Sequence, residues 1–204
     1  MKARKLERCP WCLKDEIYMR YHDEEWGVPI FDDRKQFEFL VLESAQAGLS
    51  WHTVLLKREN YREAYHDFDP EKVANFTMKD IERLLNNSGI IRNRMKIEAS
   101  IANAKAFLEV SKEFGSFSQY LWGFVVGKPI VSGWSSVSGI PAETELSHRI
   151  GKDMKNRGFR FFGSKIVYAH LQAVGIVNDH IKSCFRFKEI TSYPLDKILK
   201  QSKI

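Results

Sequence analysis

The chain has 204 residues, of which 44% are hydrophobic and 28% are charged. These proportions are typical of a globular protein, and they exclude a disordered, collagen-like or disulfide-dense chain. Lysine and arginine together number 32 against 26 acidic residues, so the formal net charge is +6. The excess positive charge favours an anionic partner such as nucleic acid, although many basic proteins bind none.

The cysteine content and the absence of a long apolar segment indicate where the protein works. Cys9, Cys12 and Cys184 are the three cysteines, an odd and small number. In a chain without a secretory signal this favours a reducing compartment, where thiols bind metal or stay free. No run approaches the roughly 20 apolar residues that cross a bilayer. We therefore expect a single-unit cytoplasmic protein over residues 1–204, with no membrane association.

Helical signals dominate the first half of the chain. Residues 33–47 predict a helix that is apolar on nearly every side and therefore buried. Asp69 followed by Pro70 predicts a helix start, with aspartate as the cap and proline at the first helical position. Thr77 and Asp80 resemble a capping box ahead of a further helix. The next predicted helix covers residues 92–111.

The second half is less regular. Residues 115–142 are rich in glycine and serine and predict a loop region, in which 124–126 is the best candidate for a strand. Two more helices are expected around residues 146–154 and 166–174, each ended by a glycine. Because strand patterns are scarce, the sequence predicts an all-α fold.

Four residues could bind a metal ion. Cys9 and His22 lie near the start of the chain, while His180 and Cys184 are spaced as i and i+4 and would share one face of a helix. Two cysteines and two histidines make a closed tetrahedral zinc site. The spacing alone is equally compatible with a buried thiol and core histidines.

A catalytic zinc site is an alternative that uses other residues. Cys9 and Cys12 form a C-x-x-C pair, and residues 22–24 form an H-x-E triplet. Nucleobase deaminases combine an H-x-E triplet with a P-C-x-x-C pair. Here the order of the two motifs is inverted and no proline precedes Cys9, which argues against this alternative.

Residues 81–108 predict two helices joined by a tight turn at residues 88–91. A glycine turn that leads into a helix presents backbone N–H groups, here around Gly89 and Ile91, to a phosphate. The basic residues Arg92, Arg94 and Lys96 follow immediately and would add salt-dependent affinity for nucleic acid. The alternative is an ordinary helical hairpin with a solvated basic face.

Glu43 interrupts the most apolar predicted helix. A buried carboxylate is costly unless it is paired or hydrogen-bonded, so its presence calls for a reason. Gln46 and Trp51 follow it, and Tyr21 and Trp26 come before it. Together these residues suit a pocket for a flat heterocycle. They equally suit a structural glutamate beside an ordinary aromatic core.

The residues above belong to a series of short motifs that run from about residue 8 to residue 186. They are Arg8-Cys9, Tyr21-His22-Asp23, Glu25-Trp26-Gly27, Leu42-Glu43, Gln46-Ala47-Gly48-Leu49-Ser50-Trp51, Lys57-Arg58-Glu59, Gly89-Ile90-Ile91-Arg92, Arg157-Gly158-Phe159, Val177-Asn178-Asp179-His180 and Cys184. Each motif is weak alone, but the set resembles the bacterial DNA-3-methyladenine glycosylase I family.

The resemblance implies a fold, an activity and a metal. It implies an all-α helix-hairpin-helix glycosylase fold, with the hairpin element at about residues 78–112. A structural Zn²⁺, one per chain, would join segments 8–26 and 177–186 through Cys9, His22, His180 and Cys184. The implied activity is excision of 3-methyladenine from alkylated double-stranded DNA, which leaves an abasic site. We expect a monomer that is associated with the bacterial nucleoid through DNA.

The resemblance also implies residue roles. Glu43 would be the catalytic carboxylate that compensates the charge of a flipped cationic base. Tyr21, Trp51 and Gln46 would bind the base. Trp11 and Trp26 would either line the same pocket or belong to the core.

Further implied roles concern the DNA duplex. Leu49 would wedge into the gap that the flipped base leaves, and Gly89, Ile91, Arg92 and Lys96 would contact the DNA. The predicted helix after the hairpin contains no aspartate, in agreement with a family that lacks the catalytic aspartate of most of this superfamily. A zinc-stapled module that binds DNA without catalysis is the alternative, and the presence of Glu43 and Trp51 argues against it.

Overall fold

The computed structural model describes residues 6–194 and is built almost wholly of helices, as the sequence predicts. None of the described helices is both long and apolar enough to span a membrane. The helices and strands are α1 (Glu16–Glu24), α2 (Asp33–Gln46), α3 (Trp51–Leu55), α4 (Arg58–Ala64), α5 (Pro70–Ala74), α6 (Met78–Leu85), α7 (Arg94–Phe114), α8 (Phe117–Gly123), β1 (Ile130–Val131), α9 (Glu145–Asn156), α10 (Ser164–Ala173), β2 (Val177–Asn178) and α11 (Phe185–Thr191).

Helix α2 lies at the centre of the fold. Its start is fixed by the side chain of Asp32, which accepts a hydrogen bond from the N–H of Lys35. Every residue in 36–45 is buried, because α2 packs against α3, α7, α8 and α10. This confirms the central, buried helix that the pattern predicts. It also carries Glu43 into the interior.

The predicted helix starts in the middle of the chain are correct to within two residues. Asp69 caps α5 with Pro70 in its first turn, and Thr77 forms the expected capping box with Asp80 at the start of α6. Helix α7 begins after Asn93, whose side chain accepts from the N–H of Lys96. It therefore starts two residues later than expected, because the asparagine is the better cap.

Two expectations for residues 115–142 are wrong. The region contains the short helix α8, and residues 124–126 form a turn rather than a strand. In this turn Val126 has a φ of 52° and donates its N–H to the carbonyl of Gly123. The strand lies further along as β1, which pairs in parallel with the distant β2. Local sequence cannot reveal a pairing between segments that are so far apart.

The two ends of the described chain dock on each other. The N–H of Gly27 donates to the carbonyl of Gln172, and that of Ile30 donates to the carbonyl of Val174. Gly175 closes the turn after α10 with a φ of +74°, and a Cβ there would lie 2.4 Å from the carbonyl carbon of Val28. Only glycine permits this approach, which places segment 26–30 against the end of α10.

Candidate functional site

A cavity of about 360 Å³ opens between α1, α2, the start of α3, α10 and the loop of residues 137–142. Aromatic side chains form most of one wall and a single carboxylate lies at the base, which suits a flat and electron-poor ligand. All six residues that the sequence assigns to a base pocket line this cavity: Trp11, Tyr21, Trp26, Glu43, Gln46 and Trp51.

Glu43 is the distinctive group of the cavity. The last turns of α2 bury it to 3% exposure. Its Oε2 atom is buried and has no hydrogen-bond partner within the described chain. Desolvation by burial raises the pKa of the carboxyl to about 8. Glu43 is therefore largely protonated at neutral pH in the empty pocket.

Trp51 supplies a hydrogen-bond donor to the same cavity. Ser50 caps α3 by accepting from the N–H of Thr53, and this places Trp51 at the first helical position. The indole Nε1 is buried without a partner in the described residues. The ring centroid lies 5.3 Å from that of Tyr21. Two unpartnered buried polar atoms in one cavity indicate that a ligand satisfies them.

The other aromatic residues form a wall between the cavity and a second cluster. Trp11 packs edge-on against Trp26, with ring centroids 4.9 Å apart, and against Tyr18 at 5.0 Å. On its far side Trp26 contacts the ring of His180 at 4.6 Å. Trp11 and Trp26 thus serve both as pocket wall and as core.

Sequence reasoning missed several lining residues. Tyr18 lies one turn before Tyr21 on α1, while Tyr168 and Gln172 lie one turn apart on α10. The i, i+3 and i, i+4 spacings were available as signals. Nothing local indicates that the loop of residues 137–142 forms the remaining wall.

The second cluster is the predicted metal site. The ligand atoms of Cys9, His22, His180 and Cys184 all lie within 4.8 Å of one another, and all four residues are buried. The Cys184 sulfur lies 3.4 Å from Nε2 of His22 and 3.6 Å from Nδ1 of His180. Hydrogen bonding from Cys9 and from both histidines lowers the pKa of Cys184. This favours the thiolate, the form that binds metals.

Outer contacts orient both histidines as they do in metal sites. Nδ1 of His22 lies 2.8 Å from Asp23, which is itself held by Arg8. Nε2 of His180 lies 2.9 Å from the carbonyl oxygen of Trp26. Such contacts fix the nitrogen that each ring offers to a metal. The donor set and its surroundings therefore fit a four-coordinate metal ion.

Two details differ from the expectations. His180 and Cys184 do not share a helix, because the segment between them is a turn that precedes α11. Cys12 does not belong to the cluster found among the described residues, and its thiol donates to the carbonyl of Cys9 instead. The deaminase-like alternative requires Cys12 as a ligand, so it receives no support.

The hairpin between α6 and α7 is present, but its N–H groups have partners inside the protein. The N–H of Gly89 donates to Oδ1 of Asn87 at 2.8 Å, and that of Ile91 donates to Oη of Tyr61 at 3.1 Å. The expectation that both N–H groups point freely to a phosphate is therefore wrong. Arg92 is exposed beside this turn.

Lys96 joins the hairpin to the pocket. Its ammonium donates to the carbonyls of Ala45 at 2.8 Å and Ala47 at 2.6 Å, at the end of α2. These bonds satisfy carbonyl groups that the helix end leaves open. They also fix the loop that carries Leu49, a side chain that is 42% exposed.

Comparison with known proteins gives the same assignment. Residues 11–187 match the family model described as methyladenine glycosylase. The chain belongs to this family. A DNA-3-methyladenine glycosylase of Haemophilus influenzae is 50% identical over 177 residues, which cover 87% of this chain and 96% of the relative. DNA-3-methyladenine glycosylase 1 of Escherichia coli K12 is 49% identical over 179 residues, with 88% and 96% covered.

Solved structures of family members have the same fold. A crystal structure of 3-methyladenine DNA glycosylase I, 50% identical, superposes with a TM-score of 0.85 and covers 88% of this chain and 98% of that chain. The Staphylococcus aureus enzyme, studied for its recognition of 3-methyladenine, is 40% identical with a TM-score of 0.85, and 88% and 96% are covered.

The buried carboxyl predicts an unusual dependence of stability on pH. The unfolded chain releases the Glu43 proton near the ordinary pKa of 4.5, whereas the folded chain keeps it up to about pH 8. The free energy of unfolding therefore falls as pH rises between these values, by up to about 1.4 kcal/mol per pH unit. Glu43→Gln removes this contribution, because the amide does not titrate.

Urea unfolding of parent and variant at several pH values measures the effect. The advantage of Glu43→Gln over the parent should grow from about pH 5 to about pH 8. Glu109→Gln, at an exposed glutamate of α7, is the control for the amide substitution itself, and growth confined to Glu43→Gln assigns the effect to the buried carboxyl. Parallel curves for Glu43→Gln and the parent would mean that Glu43 titrates as an ordinary glutamate.

Proposed function

We propose that the protein is a monofunctional DNA glycosylase that excises 3-methyladenine from alkylated double-stranded DNA and leaves an abasic site. The observation that carries the proposal is the unpartnered Oε2 of Glu43, buried at the base of an aromatic cavity, in a member of the methyladenine glycosylase family. Relatives with this name and fold act on the same base. The reaction belongs to base excision repair.

The lesion itself makes the reaction feasible. Adenine methylated at N3 carries a positive charge and departs as a neutral base, so its glycosidic bond is already weak. The enzyme must flip the nucleotide out of the duplex, hold the base and admit water. Normal adenine is neutral and a poor leaving group, so it gains little from the same pocket.

Glu43 supplies the negative charge of the pocket. Its pKa of about 8 in the empty cavity falls when a cationic base enters, because an opposite charge favours the ionised form. The ionised carboxylate then accepts hydrogen bonds from the base edge. Tyr21 and Trp51 contact the cationic ring through their faces, and Gln46 adds a hydrogen-bonding group at the cavity edge.

The hairpin and the helix that follows it lack the groups that a stronger chemistry requires. Helix α7, which follows the hairpin, contains glutamates but no aspartate. The ammonium of Lys96 is occupied by two carbonyls, which leaves it unsuited to Schiff-base formation. These features of the hairpin and of α7 support hydrolysis without strand cleavage.

Replacing Glu43 by glutamine tests the catalytic role. The amide keeps the volume but lacks the charge, and it presents a donor where an acceptor is needed. A hydrogen bond to a charged group contributes about 1.5–3 kcal/mol, so release of 3-methyladenine from alkylated DNA should fall roughly ten- to hundred-fold. Affinity for the free base, measured by calorimetry, should fall in parallel.

The same variant should keep its metal content and its affinity for undamaged duplex. Glu38→Gln is a matched control, since Glu38 is also a buried glutamate of α2 but pairs with Arg58 away from the cavity. Release of the base by Glu43→Gln at the parental rate, with parental base affinity, would make Glu43 a structural residue.

We further propose that the metal is Zn²⁺, one per chain, in a structural role. Cys9 and His22 come from the first described segment, and His180 and Cys184 come from the last. Zn²⁺ favours two thiolates with two imidazoles in a closed set. When bound, the ion supplies a cross-link between segments 8–26 and 177–186.

Two cysteine variants distinguish a metal ligand from a buried cysteine outside the metal cluster. Cys184→Ser should lower the zinc content measured by mass spectrometry and lower the melting temperature, because metal binding is coupled to folding. Cys12→Ser should leave the zinc content unchanged, although Cys12 is equally buried. Full zinc retention by the Cys184 variant would contradict the assignment of Cys184 as a zinc ligand.

The duplex is proposed to bind at the hairpin element within residues 78–112. Exposed Arg92 would contact a phosphate, and exposed Leu49 would enter the gap left by the flipped base. Gly89 and Ile91 would shape the turn, while Lys96 would hold the neighbouring loop. The whole chain would act as one catalytic unit and as a monomer.

Charge reversal at Arg92 tests this surface. Arg92→Glu should weaken binding to any duplex and lower the slope of log affinity against log salt by about one unit per lost phosphate contact. Fluorescence anisotropy with labelled DNA measures both quantities. Lys152→Glu on α9 makes the same charge change outside the hairpin, and an equal loss in both variants would place the DNA elsewhere.

A further inference from the structure

The motif of residues 177–180 contains one buried charge with no role in the metal cluster. Asp179 follows β2, precedes His180 and is 1% exposed. Its carboxylate accepts three hydrogen bonds: Oδ1 from Nε1 of Trp134 at 2.9 Å, and Oδ2 from Oη of Tyr168 at 2.5 Å and from Nε2 of Gln172 at 2.7 Å. No ion pair to Asp179 occurs in the described part of the chain.

The three donors connect Asp179 to two walls of the cavity. Tyr168 and Gln172 line it directly from α10. Trp134 stands at the start of the segment whose residues 137–142 form the opposite lip. The carbonyl of Trp134 also accepts from the N–H of Lys182 at 2.8 Å, so this tryptophan is held on both sides by the segment around Asp179.

Burying a carboxylate costs free energy of desolvation even when three neutral donors bond it. The three hydrogen bonds in turn hold the donor side chains in a rigid arrangement. Among the described residues, three hydrogen bonds join the loop of residues 132–142 to the segment around Asp179: the backbone bonds of Ser132 to Asn178 and of Lys182 to Trp134, and the side-chain bond of Trp134 to Asp179. The loop follows β1 directly and contains a single 3₁₀ turn, Val137–Gly139. No residue in 132–142 is fully buried. The bond from Trp134 to Asp179 is the side-chain link of this loop, and its acceptor also bonds Tyr168 and Gln172, so it connects the lip directly to α10.

We propose that Asp179 is a positioning residue for the base pocket. It orients Tyr168 and Gln172 and, through Trp134, holds the lip of residues 137–142 at the width of one flat base. The inference rests on the proposed function and deepens it, because it assigns the residues that determine how tightly the pocket closes on its substrate. The role is separate from metal binding, since His180 is oriented by the carbonyl of Trp26.

Two substitutions break the same bond from opposite sides. In Asp179→Asn the amide oxygen can still accept from Tyr168 and Gln172, but its N–H group then faces the indole N–H of Trp134, and two donors oppose each other. Trp134→Phe removes the indole N–H and leaves Asp179 intact. If the bond is what matters, the double variant should lose no more than either single variant.

Trp122→Phe is the matched control. Trp122 is a buried tryptophan whose Nε1 donates to the carbonyl of Ile30 at 2.9 Å, as Trp134 donates to Asp179, but Trp122 lies outside the loop that forms the lip and its acceptor does not line the cavity. Both tryptophan variants lose one indole hydrogen bond, so a purely structural effect should appear in both.

The experiment measures binding of free 3-methyladenine by calorimetry and steady-state release of this base from alkylated duplex. Asp179→Asn and Trp134→Phe should each weaken free-base binding by roughly five- to fiftyfold. They should raise KM for alkylated duplex with a change in kcat of less than about twofold. Zinc content and affinity for undamaged duplex should stay at the parental values, and Trp122→Phe should keep parental base affinity.

The outcomes separate the inference from the function on which it rests. If the parent enzyme releases no 3-methyladenine, the proposed function fails. If the parent is active but Trp134→Phe, folded and zinc-loaded, binds the free base as the parent does, the positioning role is overturned. Equal losses of base affinity in Trp134→Phe and Trp122→Phe would overturn it as well. Trp134→Phe carries the test by itself if Asp179→Asn does not fold.

Discussion

The docking of the first described segment onto the last is the constraint on which both functional clusters depend. Backbone hydrogen bonds join residues 27–30 to residues 172–174, and the absence of a side chain at Gly175 allows the two segments to touch. This contact brings α1 beside α10, so each end of the chain supplies one wall of the cavity. It also brings Cys9 and His22 to His180 and Cys184. A bound metal ion would fix an arrangement that packing and hydrogen bonds already produce.

The pocket is built at a cost to stability. A carboxyl with a buried, unpartnered oxygen and an unpartnered indole N–H are groups that a core optimised for folding would not contain. Glu38, also on α2, shows the ordinary solution, since it is buried but paired with Arg58 and Lys35. Oε2 of Glu43 has no such partner among residues 6–194. The contrast within one helix supports the proposal that Glu43 is kept for a ligand.

A pocket with one unpartnered carboxyl and an aromatic wall fits the chemistry of a charged leaving group. When the substrate itself supplies the activation, the protein needs shape, an acceptor and a counter-charge more than a strong acid or base. The aromatic wall and Glu43 provide these features, and the hydrogen bonds of Asp179 and Lys96 tie the surrounding loops to the rigid helices. In the proposed mechanism, selectivity comes from the charge of the base, since a neutral base would leave the carboxyl protonated and weakly bonded.

The sequence by itself determined the helical fold, the positions of the caps at Asp69 and Thr77, and the buried helix that carries Glu43. These features are local, because they depend on residue type and spacing within one or two turns. The resemblance of scattered motifs also indicated which side chains belong to the cavity and to the metal cluster. The tertiary structure decided the rest. It placed β1 against β2, gave the N–H groups of the hairpin partners inside the protein, turned Lys96 towards the end of α2, and made residues 137–142 the lip of the pocket. Each of these depends on a hydrogen-bond partner far away in the chain, and the choice among many distant donors and acceptors is made by packing, which no local pattern encodes.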